Sequence, residues 1–155
     1  MSAATGAGRA ERPHLSGAAA GVVVTGRDLR AVLGLASAAL LLAALAGAGH
    51  TVHPVVVAAF VAAAAVVAAF PASPAPAAVC VVTVFILLSG AGEFTGWLVL
   101  VASLLHTVHV AAGLAEIIPI RARAEVGAVA PTARRWLRTQ IWTLPLLIIL
   151  VALLA

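Results

Sequence analysis

His106 and His109 stand three residues apart, with Ser103 before them and Glu116 beyond, in the stretch WLVLVASLLHTVHVAAGLAEII from Trp97 to Ile118. Imidazole titrates near neutral pH and a carboxylate can take the proton onward, so a proton or ion path is one chemistry open to this set. Histidines at i and i+3 can also reach one metal or haem iron. As a helix the stretch is roughly 33 Å long, against a bilayer hydrocarbon core of ~30 Å. His106 and His109 then lie about 14 and 18 Å from the Trp97 end, straddling the midplane. At about 100° per residue, Ser103, His106, His109, Gly113 and Glu116 share one side of that helix. Polar groups at such depth are costly against lipid, so the stripe is expected to face other helices or an internal cavity. The first reading of the two histidines is hydrogen-bonding glue between helices, and the second is a relay ending at Glu116. Glu116 is also placed to snorkel or to pair with Arg121 or Arg123.

A second His-Thr-Val-His occurs at His50–His53, ahead of Pro54. It falls in a turn between apolar spans, about 15 Å in depth from the first pair, so one ion could not easily collect ligands from both. His50 and His53 are therefore expected as interfacial hydrogen-bonding residues on the external side, where Glu93 also falls. No cofactor is expected; a haem- or metal-binding redox protein is kept as an alternative. Cys80, the single cysteine, lies in an apolar run and is expected as inert filler. The chain holds no phosphate-cradling Gly-rich loop with Lys, no HExxH, no CxxC and no GxSxG. No catalytic motif is evident, and the expectation is a protein that is not an enzyme.

The elements that must position these residues follow from composition. The 155 residues are 64% hydrophobic and only 9% charged, with a mean hydropathy of +1.19. A soluble domain carries about a quarter charged residues, so this chain uses lipid as part of its solvent. The net charge of +4 comes from nine basic residues, all arginine. No segment joins a basic face to aromatic platforms, which argues against nucleic acid as a partner. The Ala/Val/Arg-rich, lysine-free composition suggests a GC-rich bacterial source.

The order of the chain gives an all-α membrane bundle. Residues 1–24 are small, polar and aperiodic, and are expected to form a disordered cytoplasmic tail. Thr25-Gly-Arg-Asp28 resembles a capping box and opens the first span, about 29–48. A cleaved signal peptide ending at Ala46-Gly-Ala48 would need an n-region of about thirty residues, so an uncleaved helix is expected. Further spans are expected at about 55–70, 77–90, 97–118 and 137–155, with Pro54 at a helix start and three prolines from Pro71 to Pro76 as a stiff connector. The segment 119–136 is expected as a basic cytoplasmic loop, and Thr143 as support for the backbone freed by Pro145. Threading five spans places Arg9, Arg12, Arg27 and Arg30 on the same side as Arg121, Arg123, Arg134, Arg135 and Arg138. By the positive-inside rule that side is the cytoplasm, which puts the N-terminus inside and the C-terminus outside a bacterial inner membrane. The function expected is that of an accessory or assembly component, whose partners are the lipid bilayer and other membrane proteins or further copies of itself. The competing reading is an oligomeric small transporter or channel using the His/Glu stripe.

Overall fold

The computed structural model describes residues 23–90 and 96–154. They form an all-helical bundle with one short ribbon: β1 (Val23–Thr25), α1 (Gly26–Gly47), α2 (Pro54–Ala69), α3 (Ala75–Ser89), α4 (Gly96–Ile117), β2 (Arg123–Glu125) and α5 (Val126–Leu154). Three helices, α1, α4 and α5, are long and apolar enough to cross a membrane. The other two are apolar but shorter, with 16 residues in α2 and 15 in α3. At helical rise these measure about 24 and 22 Å, less than a hydrocarbon core of ~30 Å.

Helix starts and stops follow local chemistry. Thr25 and Asp28 close the capping box: the Thr25 hydroxyl accepts from the Asp28 N–H at 3.2 Å, and the Asp28 carboxylate accepts from the Thr25 N–H at 2.9 Å. Two of the orphan N–H groups of α1 are thereby satisfied. The other end of α1 closes in a Schellman arrangement, with His50 N–H on the Leu45 carbonyl and Gly49 N–H on the Ala46 carbonyl, both at 3.1 Å. Gly49 takes φ +73°, the left-handed turn that this cap requires. His53 caps α2, and Pro54 fills its first position, where no N–H is needed.

α1 is the hub. It packs most extensively on α4, then on α2 and α3. Leu33, Leu40 and Leu41 are fully buried along it. α4 turns Val101, Val108, Ala111, Ala112 and Ala115 inward. Small side chains there let the backbones of α1 and α4 approach closely, so dispersion contacts accumulate even where lipid offers no hydrophobic drive. One end of the bundle joins Gly47 to Trp97 and Ala48 to Gly90. The other end joins Gly26 to Pro119 and Arg30 to the Ile118 carbonyl. The helices therefore run up and down, and Arg27, Arg30, Arg121 and Arg123 gather at the second end.

Four expectations change. Val23 and Val24, placed in the tail, form β1 and pair antiparallel with β2, Val23 opposite Glu125 and Thr25 opposite Arg123. The rest of the tail lies outside the described residues, as does Glu93. The basic loop is shorter than 119–136, because α5 already begins at Val126 and carries Arg134, Arg135 and Arg138 on helical turns. Ala128, Ala130 and Ala133 favour the helix there, and Pro131 sits within it without ending it. The Thr143 hydroxyl donates to the Thr139 carbonyl at 2.8 Å, one turn back. It does not reach the Ile141 carbonyl, which Pro145 leaves without its usual i+4 donor. Lastly, much of the polar stripe of α4 does not face the bundle.

Candidate functional site

The stripe divides along its length. α1 occupies the Ala/Val side of α4, and α5 packs against the neighbouring edge, where Ser103 and His106 lie. His109, Gly113 and Glu116 remain exposed on the surface of the chain, with Ala102 on the same line nearer the Trp97 end. The reason is competition between faces. The side of α4 bearing Val108, Ala111, Ala112 and Ala115 packs more closely on α1 than a side bearing imidazole and carboxylate could.

On the α5 edge the contact is polar. Gln140, only 6% exposed, donates from Nε2 to the Ser103 carbonyl at 3.2 Å. The same carbonyl accepts the Thr107 hydroxyl at 2.8 Å, in addition to its place in the helix ladder of α4. A cleft of about 180 Å³ lies beside this bond, lined by Ala102, His106, Thr139, Gln140, Thr143 and Leu147 among others. Its volume exceeds the ~30 Å³ share of one liquid water several times over. His106 Nε2 is enclosed and has no hydrogen-bond partner among the described residues. Sequence reasoning missed Gln140; the available signal was an amide at the entry to the apolar C-terminal half of α5, one helical turn before Thr143.

At the arginine end Glu116 and Arg30 line one open cleft of about 440 Å³, together with Phe70 and Ser73 from the α2–α3 connector. Arg30 also donates from Nη1 to the Gly26 and Ile118 carbonyls at 3.4 Å. The carboxylate thus shares its cleft with an arginine of α1 instead of the Arg121 or Arg123 that chain proximity suggested. Nothing in the linear order joins Arg30 to Glu116.

The external pair separates into two local roles. His50 Nε2 meets the Ser89 hydroxyl at 3.1 Å, tying the α1–α2 turn to the end of α3. His53 Nδ1 accepts from the Val55 N–H at 3.3 Å as the cap of α2. Among the described residues no group of three or more His, Cys, Asp or Glu side chains could hold a metal ion. Cys80 is half-buried, and a third cleft beside it, between α2 and α3, is lined wholly by Ala, Val, Leu and Phe. Compared with protein-family models, curated proteins and solved structures, the chain matches none of them.

What the α4 surface can do chemically is hydrogen-bond. One imidazole, one amide and two hydroxyls gather at the α4–α5 cleft, while a second imidazole and a carboxylate lie on the open side.

Proposed function

We propose that the chain is a five-span protein of a bacterial inner membrane, with its N-terminus in the cytoplasm, acting as a non-enzymatic accessory or assembly component. It docks other membrane helices on the outer face of α4. One observation carries this reading: His109 and Glu116 flank Gly113 on a face that α1, α2, α3 and α5 leave exposed. Charged Arg, Lys or Asp at mid-bilayer costs about 2.5–3.5 kcal/mol on insertion scales, and ionisable side chains at the depth proposed for His109 normally meet a partner. The exposed flank of α5, with Ile141, Trp142, Leu146 and Leu150, is apolar and compatible with lipid. The arginine distribution supports the orientation, since α2 and α3 cross as a pair and keep both arginine groups on one side.

A photo-crosslinking residue tests the docking. Introduced at His109 or Gly113 in native membranes, it should give protein adducts on illumination. At Val84 or Phe85, exposed on α3, it should label lipid alone. Equal protein labelling at both faces, or none at α4, refutes the docking face. Reporter fusions test the orientation separately: a fusion at Ala155 should report outside and one near Val126 inside.

A further inference from the structure

Resting on the membrane reading above but not on docking at α4, we infer that the Arg30–Glu116 cleft is a headgroup site for a zwitterionic phospholipid, one whose phosphodiester carries a primary ammonium. The site exists because α2 and α3 are short. A Cβ built at Gly34 meets the Ala68 Cβ at 3.2 Å, so the last turn of α2 lies beside the third turn of α1. Gly34 is about eight residues, or roughly 12 Å, inside the start of α1 at Gly26. The connector between Ala69 and Ala75 turns the chain back from that recessed level. A helix too short for the bilayer gains nothing by tilting; the bilayer thins beside it, or long cationic side chains reach out to the interface. Neither α2 nor α3 carries a lysine or an arginine. The recess is therefore where the headgroup layer comes in against the chain.

Two charges line it. Arg30 of α1 and Glu116 of α4 border the cleft with Phe70 and Ser73. Among the described residues Arg30 commits only Nη1, to the carbonyls of Gly26 and Ile118, both at 3.4 Å. Those bonds hold the guanidinium at the cleft, while Nε and Nη2 keep N–H groups for an anion. The planar fork of arginine matches phosphate oxygens. Glu116 is exposed. It accepts no hydrogen bond from a described residue and does not close on Arg30, although the two share the cleft.

Charge then selects the guest. A purely anionic headgroup satisfies Arg30 but sets a second negative charge beside Glu116. A quaternary ammonium balances the charge but has no N–H to give the carboxylate. A phosphodiester joined to a primary ammonium gives each side chain its partner, and both hydrogen bonds are charge-assisted. Exposed Phe70 at the rim offers the acyl chains an apolar path back toward the hydrocarbon core.

Native mass spectrometry of the delipidated full chain in detergent tests the site. The protein is titrated with phosphatidylethanolamine, phosphatidylcholine and phosphatidylglycerol of identical acyl chains, and separately with free phosphoethanolamine. The ethanolamine lipid should bind about tenfold tighter than the other two, the scale of one charge-assisted hydrogen bond. Glu116→Gln should abolish that preference, and Arg30→Gln should weaken all three lipids. Arg134→Gln, on α5, should change nothing. Lipid-free melting checks the fold. If loss of the Nη1 bonds destabilises Arg30→Gln, Glu116→Gln carries the test alone, because its carboxylate bonds to no described residue. Equal binding of the three lipids, or a preference that survives Glu116→Gln, overturns the site. Tighter binding of phosphatidylglycerol overturns the zwitterionic guest. Free phosphoethanolamine binding as tightly as the lipid makes the guest a soluble phosphate ester and overturns the lipid source. Protein that stays monodisperse without detergent overturns the membrane reading itself, whereas docking at α4 stands or falls on the photo-adducts alone.

Discussion

Replacing Gln140 with Leu isolates the one side-chain hydrogen bond that links α5 to α4 among the described residues. The variant removes the 3.2 Å bond from Nε2 to the Ser103 carbonyl. It leaves that carbonyl paired, because the Thr107 hydroxyl still donates to it at 2.8 Å. Leucine approximates the glutamine volume, so little new cavity opens beside the existing cleft of about 180 Å³. The cost is then the bond alone, about 0.6–1.7 kcal/mol on the scale of intramembrane hydrogen bonds. At about 1 kcal/mol the docked fraction of α5 falls roughly fivefold relative to the undocked. Gln140→Ala loses the same bond and also enlarges the cleft, so it should cost more than Leu. Reversible unfolding in mixed detergent–lipid micelles measures both. Leu and wild type with equal stability would show that the bond does not hold α5. A loss above about 3 kcal/mol for Leu would also refute the reasoning, since it would require an orphaned buried partner.

His106→Gln and His109→Gln should preserve expression and assembly, since an amide still donates and accepts; His109→Leu should weaken the docking by about 1 kcal/mol, whereas His106→Leu should be neutral or stabilising, because it removes a buried ring nitrogen with no partner among the described residues. If proton flux in reconstituted vesicles exists and is abolished by the Gln variants and by Glu116→Gln alike, the relay reading replaces docking. Gly26→Ala should destabilise the fold by about 1–3 kcal/mol in thermal melts, because its Cβ would overlap the Pro119 carbonyl; an unchanged melting temperature refutes that close approach. Deleting residues 1–22 should leave topology and stability unchanged, while deletion through Val24 removes most of β1 and should lower stability measurably.

Much of this architecture is legible because local chemistry is explicit. Thr25 and Asp28 mark the start of α1, and Gly49 with Pro54 marks the turn into α2. Apolar runs of helical length mark α2, α3 and α4. The start of α5 is hidden for a physical reason. Arg134, Arg135 and Arg138 read as loop when hydropathy is the criterion, yet arginine is a good helix former and Pro131 is tolerated here inside the helix. β1 and β2 are hidden too, since a pair of three-residue strands has no periodicity to detect and is fixed by the meeting of α1 and α4 at Gly26 and Pro119.

The stripe on α4 shows where periodicity stops being informative. The spacing correctly puts His109, Gly113 and Glu116 on one side of a helix, but a period carries no sign for inward or outward. The rule that polar residues in a membrane turn inward applies to the finished assembly. It fixes the direction within a single chain only when that chain closes its own bundle. Here α1 accepts the Ala/Val side of α4 and fills its own surface with α2 and α3, and α5 reaches only the His106 edge, so no described helix covers His109. On the docking reading, the polar residues of this open face locate the next helix of the assembly, and Gly113 marks the point where that helix would come nearest.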